Sequence, residues 1–214
     1  MNEVNKAVIP FYGGDKQKLF EIERRCMDRD GKVVAHLRAN LPTGNILDVG
    51  AGNGFTAAKL QSKDRIVYPI EPNQAMIDEK RPLPWVRGKA QELPFARDSF
   101  DGAYATWAFF LNGVAGIDLG LTELDRVIKS GGLIIIVDNA GDDEFCSYSK
   151  KTIWADRQFW LRRKFKETII ETSWRFDNEQ EASLLFKHFF GEVNLPTGQT
   201  VFQYRVAAFA KNVA

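Results

Sequence analysis

Residues 45–55, Asn-Ile-Leu-Asp-Val-Gly-Ala-Gly-Asn-Gly-Phe, lead an apolar run into a helical stretch through a turn with glycines at 50, 52 and 54. A strand–glycine–helix junction of this kind lets main chain lie directly against a nucleotide, because glycine has no Cβ at the point of contact. The residues beyond the turn narrow the fold further. Short apolar runs at Ile46–Val49, Arg65–Ile70, Trp85–Arg87, Phe100–Thr106 and Leu133–Val137 alternate with helical stretches at Gly54–Leu60, Asn73–Lys80 and Leu121–Lys129. Alternation of this kind predicts an α/β fold with a parallel sheet and right-handed crossovers. Ahead of it, Asp15 is placed to cap a helix carrying Leu19, Ile22 and Cys26, and Val33, Leu37 and Leu41 mark a second helix. Behind it, Asp177 with Gln180 reads as a capping box, and Gly191 as the end of that helix. Glu192–Leu195, the turn Pro196-Thr197-Gly198 and Val201–Ala210 read as a hairpin, so the sheet is expected to end antiparallel.

The turn is not that of a dinucleotide enzyme. Gly54 stands two residues after Gly52, where the dehydrogenase fingerprint has its third glycine three further on. Asp48, just ahead of the turn, would repel a pyrophosphate at the helix N-terminus. A ligand with an ammonium and a sulfonium and no phosphate tolerates that carboxylate, which points to S-adenosylmethionine rather than NAD. Glu71 lies 21 residues after Gly50, at the end of the next strand, where an acidic side chain accepts from ribose hydroxyls.

Leu47-Asp48-Val49-Gly50-Ala51-Gly52-Asn53-Gly54, Glu71-Pro72, Gly88-Lys89-Ala90-Gln91-Glu92-Leu93-Pro94-Phe95, Asp98-Ser99-Phe100-Asp101 and Leu124–Gly132 occur in order. In these residues the chain resembles class I S-adenosylmethionine-dependent methyltransferases of the type 11 branch over roughly residues 45 to 138. The resemblance implies a Rossmann-like, mostly parallel seven-stranded sheet ending in a C-terminal antiparallel hairpin, and methyl transfer to a small-molecule acceptor through oxygen, nitrogen or carbon. It implies one domain: N-terminal helices over 1–44, a cofactor-binding core over 45–138, a cap insert over 142–174, and a helix with the terminal hairpin over 177–214. The cofactor would be held by Asp48, Gly50, Ala51, Gly52, Glu71, Pro72, Ala90, Gln91 and Thr106. Lys89 stands where the family usually has an aspartate that contacts adenine, which leaves the base to Gln91 or the Ala90 main chain. No catalytic residue is assigned, since an activated methyl donor needs mainly alignment and exclusion of water.

Other residues carry alternatives. Asp138-Asn139 resembles the metal-binding pair of catechol-type O-methyltransferases, but Ala105-Thr106-Trp107-Ala108 supplies no carboxylate partner, so no metal is expected. His36 and His188 read as structural groups, and Cys26 and Cys146 as reduced thiols without zinc spacing. A basic-aromatic segment at 150–166 raises RNA binding or RNA-directed methylation as an alternative, and a cofactor-binding protein without transferase activity as another. With Lys+Arg 29 against Asp+Glu 28, the net charge of +1 gives no field towards nucleic acid, and a packed amphipathic helix is the preferred reading of that segment. No apolar run is long enough to span a membrane, and a cytoplasmic location is expected. The sequence leaves the oligomeric state open.

Overall fold

A computed structural model of the chain describes residues 17–108 and 116–214. The expected cap at Asp15 lies outside the described residues. Helices α1 (Gln17–Cys26) and α2 (Lys32–Asn40) precede strand β1 (Gly44–Val49), helix α3 (Phe55–Leu60), β2 (Arg65–Glu71), β3 (Val86–Arg87) and β4 (Phe100–Thr106). Next come α4 (Ile117–Val127), β5 (Ile128–Asn139), α5 (Glu144–Ser147), α6 (Arg157–Arg162), β6 (Lys166–Arg175), α7 (Glu179–Phe190) and β7 (Val201–Asn212). The seven strands form one sheet in the order β3-β2-β1-β4-β5-β7-β6. Strands β1 to β5 pair in parallel, and β7 runs antiparallel to both β5 and β6. The reversed strand therefore sits one place in from the edge.

The alternation of β1 explains the two-layer packing. Ile46 belongs to the core on the α1, α2 and α7 face, whereas Leu47 and Val49 face the opposite core, which holds Leu124 and Trp160. Two-sided burial makes β1 read as a nearly continuous apolar run.

Four expectations about local structure are corrected. Asn73–Lys80 is not a helix: only Gln74–Met76 form a 3-10 turn. The Asp78 side chain accepts from the Lys80 N–H at 3.2 Å, and Pro82 disfavours helical backbone at the residue before it, so the helix has no room to propagate. Ile128 and Lys129 belong to β5 rather than to the preceding helix. The α7 cap is Asn178, whose side chain accepts from the Glu181 N–H at 2.9 Å, because Asp177 is taken by Arg25 and Arg29. Glu192–Leu195 is not a strand, and the partner of β7 is β6, so the C-terminal pair is joined through α7 and is no hairpin. The pairing of β6 with β7 also revises the expected cap insert. Residues 166–175 of that segment are the edge strand of the sheet, paired along its length with β7. Trp160 of α6 packs on Phe165 and Phe209 at ring-centroid distances of 5.1 and 5.5 Å, in the core opposite α7. Among the described residues of the segment, Phe145, residues 152–154 and Trp174 at the end of β6 reach the cavity at the carboxyl ends of the parallel strands.

Candidate cofactor and acceptor site

A cavity of about 420 Å3 opens at the carboxyl ends of β1, β2, β4 and β5, the edge where open α/β sheets bind ligands. Its first end is the glycine turn. Gly50, Gly52 and Gly54 have φ of 72°, 56° and 72°, a left-handed backbone that side chains resist. The reasons differ between positions. A Cβ on Gly54 would meet Trp85 at 2.7 Å, so this glycine serves packing, whereas Gly52 faces the cavity under Phe20.

The turn's amides are committed. The Gly50 and Ala51 N–H groups donate to the Ile70 carbonyl at 2.9 and 3.1 Å, and Gly54 N–H donates to Ala51 O at 2.9 Å. Gly52 N–H donates to the Glu71 carboxylate at 2.9 Å, and Asn73 N–H donates to the other Glu71 oxygen at 3.0 Å. Glu71 is thus aimed by two backbone donors, each carboxylate oxygen keeping a second lone pair for a ligand. Burial raises its pKa, and the two amides pull it back.

Eight of the nine expected cofactor residues line this one cavity: Gly50, Ala51, Gly52, Glu71, Pro72, Ala90, Gln91 and Thr106. The Gln91 side-chain amide is buried, with both its nitrogen and its oxygen lacking a hydrogen-bond partner among the described residues, a state that costs free energy until a ligand supplies partners. Asp48 is the exception. It is 1% exposed and lies behind the turn, on the face of β1 that carries Ile46, and is not part of the cavity wall. Burial pushes its pKa up to about 7, the Tyr104 hydroxyl opposes that rise, and the Glu71 charge adds to it. The Asp48 and Tyr104 side chains are neighbours without the geometry of a full hydrogen bond.

Helix α1 supplies residues that the sequence did not disclose: Phe20, Glu23 and Arg24, followed by Met27, all line the cavity. The Arg24 guanidinium lies 5.4 Å from the Trp107 ring centroid and donates to the Met27 sulfur at 3.6 Å. Its Nε is buried without a partner, and among the described residues it forms no ion pair. No local pattern marks a cation on a helix as a ligand group, so only the packing of α1 over the turn reveals it.

The second end of the cavity is aromatic. Trp107, at φ 45°, comes directly after β4, and its N–H donates to Val137 O at 2.9 Å; the strained backbone brings the indole to the cavity wall. Its Nε1 donates to the Tyr204 hydroxyl at 2.7 Å, Tyr204 donates to Asn139 Oδ1, and Asn139 Nδ2 donates to Ile153 O at 2.6 Å. Asp138 Oδ1 accepts from the Asn139 N–H at 2.7 Å. Burial lifts the Asp138 pKa to about 8. His36, His188 and the two buried cysteines lie outside this wall. Among the described residues, no group of three or more His, Cys, Asp or Glu is arranged to hold a metal ion, and no helix is long and apolar enough to cross a membrane. In the 150–166 segment Trp160 and Phe165 are buried, Arg157 pairs with Glu167, and Arg163 pairs with Asp118 at 2.8 Å, which commits two of its aromatics and two of its seven basic residues within the fold.

Residues 47–136 match the model of a methyltransferase domain family. The ubiquinone/menaquinone biosynthesis C-methyltransferase UbiE of Agrobacterium fabrum is 32% identical over 123 residues, covering 51% of this chain and 47% of that protein. The biotin biosynthesis bifunctional protein BioHC of Cellvibrio japonicus is 32% identical over 106 residues, 47% of this chain and 21% of that protein. The chain thus spans about half or less of these relatives. A solved S-adenosylmethionine-dependent methyltransferase from Thermotoga maritima superposes with a TM-score of 0.58 at 20% identity, covering 92% of this chain and 94% of that one. Residues 47–136, from β1 into β5, thus carry a methyltransferase-family domain, and the whole chain has the fold of a solved class I methyltransferase.

Proposed function

We propose that this protein binds S-adenosylmethionine in the glycine-turn end of the cavity and transfers its methyl group to a small molecule in the aromatic end. The observation that carries the reading is Gln91: a buried amide with donor and acceptor both unsatisfied matches the paired donor and acceptor on the edge of adenine. The surroundings agree. Glu71 offers lone pairs to a ribose diol, and the turn's amides are already engaged, which leaves no cradle for a pyrophosphate. Arg24 supplies the cation that an amino-acid carboxylate needs. When bound, the cofactor supplies an activated methyl group on a positively charged sulfur. The chain's own part is to orient that group towards the aromatic end and keep water out, through Phe20, Met27 and Trp107. The ubiquinone/menaquinone relative is a C-methyltransferase by name, which supports a small acceptor here.

Calorimetry tests the reading. The protein should bind S-adenosylmethionine and S-adenosylhomocysteine and show no comparable affinity for NAD. Arg24→Gln should weaken S-adenosylhomocysteine by about 1.5–3 kcal/mol, the worth of a hydrogen bond to a charged group, while leaving 5′-methylthioadenosine, which lacks the amino acid, unchanged. Equal losses for both ligands would mean that Arg24 only supports the fold.

Turnover is expected to survive chelator treatment. Among the described residues Asp138 is the lone carboxylate at its end of the wall, and the Asn139 amide oxygen is taken by Tyr204, so a divalent ion lacks the oxygen ligands it requires. Loss of activity on chelation, restored by magnesium, would refute this.

A further inference from the structure

Among the described residues, the acceptor end keeps one carboxylate oxygen to address a ligand, besides Trp174 Nε1, a buried donor without a partner. The chain Trp107–Tyr204–Asn139–Ile153 consumes its indole, hydroxyl and amide groups in internal hydrogen bonds. Asp138 is 2% exposed and lines the cavity, with Oδ1 held by the Asn139 N–H. Its Oδ2 takes no hydrogen bond among the described residues. Around it stand the rings of Trp107, Phe145, Trp154, Trp174, Phe189 and Phe190. Phe145 stacks on Trp174 at 4.5 Å and meets Phe190 edge-on at 5.1 Å, so this wall is a fixed set of ring faces and edges.

We infer that the acceptor is a planar aromatic molecule bearing a hydroxyl group, and that Asp138 Oδ2 accepts the hydroxyl proton as the oxygen takes the methyl group. The inference rests on the reading of the site as a methyltransferase. Flat ring surfaces favour a flat apolar ligand by stacked and edge contacts, and a single buried carboxyl fixes where its polar atom lies. A cationic acceptor is disfavoured, because the Arg24 guanidinium already sits over Trp107 and the donor itself is positive. The step balances. A lone pair on the acceptor oxygen forms the O–CH3 bond, the S–CH3 bond breaks with its electron pair staying on sulfur, and the hydroxyl proton ends on Asp138. Burial, which holds this carboxyl at about 8, brings its basicity closer to that of a phenol than an ordinary aspartate's; the ionised form that takes the proton prevails above that pH, so transfer should rise as pH passes through 8.

The test uses 2-naphthol, naphthalene and naphthylmethylammonium with the full chain. Saturated with S-adenosylhomocysteine, the protein should bind 2-naphthol about tenfold more tightly than naphthalene, read by tryptophan fluorescence, since one hydrogen bond separates the two. With S-adenosylmethionine it should form 2-methoxynaphthalene. D138N keeps a hydrogen-bonding group and should hold the binding preference while transfer falls by roughly 10²- to 10⁴-fold. D138L should lose the preference as well. Equal binding of naphthalene, preference for the ammonium, absence of 2-methoxynaphthalene or wild-type turnover in D138N would each overturn the inference. Failure to bind S-adenosylhomocysteine at all would instead strike the methyltransferase reading itself.

Discussion

Asp138→Asn is expected to make the protein more stable, by about 2 kcal/mol near pH 5 and by its full amount above pH 8. An aspartate ionises near 3.8 in the unfolded chain, whereas burial holds this one at about 8 in the fold. Between those values the native state binds the extra proton, so stability is highest at low pH and falls as pH rises through the window. The full window corresponds to roughly 5–6 kcal/mol at most, and about 3.6 kcal/mol of that falls between pH 5 and pH 8. Asparagine keeps the acceptor for the Asn139 N–H and carries no charge, so the variant should lack this slope. Asp48→Asn should behave in the same way over a window that ends near 7, where burial holds that carboxyl. Denaturant midpoints of wild type and both variants at pH 5 and pH 8.5 measure the effect. Parallel curves would show that neither carboxyl is carried into the fold protonated.

Glu71→Ala should weaken S-adenosylhomocysteine by about 1.5–3 kcal/mol, or roughly 10- to 150-fold in calorimetric affinity. Two losses combine. The ribose loses its charged acceptor, and the Gly52 and Asn73 amides lose the oxygens that hold the turn against the loop after β2. Glu71→Gln separates them, because one amide oxygen restores a backbone acceptor without the charge; it should recover part of the affinity. Affinity unchanged within twofold in the alanine variant would place the ribose elsewhere.

The contact set around Glu71 shows how much of this protein was legible in its residues. The glycine turn, the acidic residue at the end of β2 and the alternation of short apolar runs with helices are local patterns, and local sterics and hydrogen bonding act on them wherever the chain goes. They sufficed for the fold class, for β1, β2 and β4, and for eight residues that share one cavity. Helix α7 was also legible, though its cap shifted one residue when the arginines of the α1 region claimed Asp177.

Other features depend on partners distant in sequence. Lys166–Arg175 is a strand because β7 pairs with it, and that pairing spans the whole of α7, so the segment read in isolation as part of a cap. Asp48 has the residue type expected of a ligand contact, but strand alternation turns it behind the turn, beside Tyr104. Arg24 enters the site only because α1 folds back over Gly52, and the uncommitted oxygen of Asp138 emerges only once Trp107, Tyr204, Asn139 and Ile153 have satisfied one another. Local propensity determined the scaffold and the cofactor turn. The long-range closure of β7 between β5 and β6, with α1 packed across the turn, decided which polar groups were left unsatisfied, because a hydrogen-bond account balances only when every partner is in place.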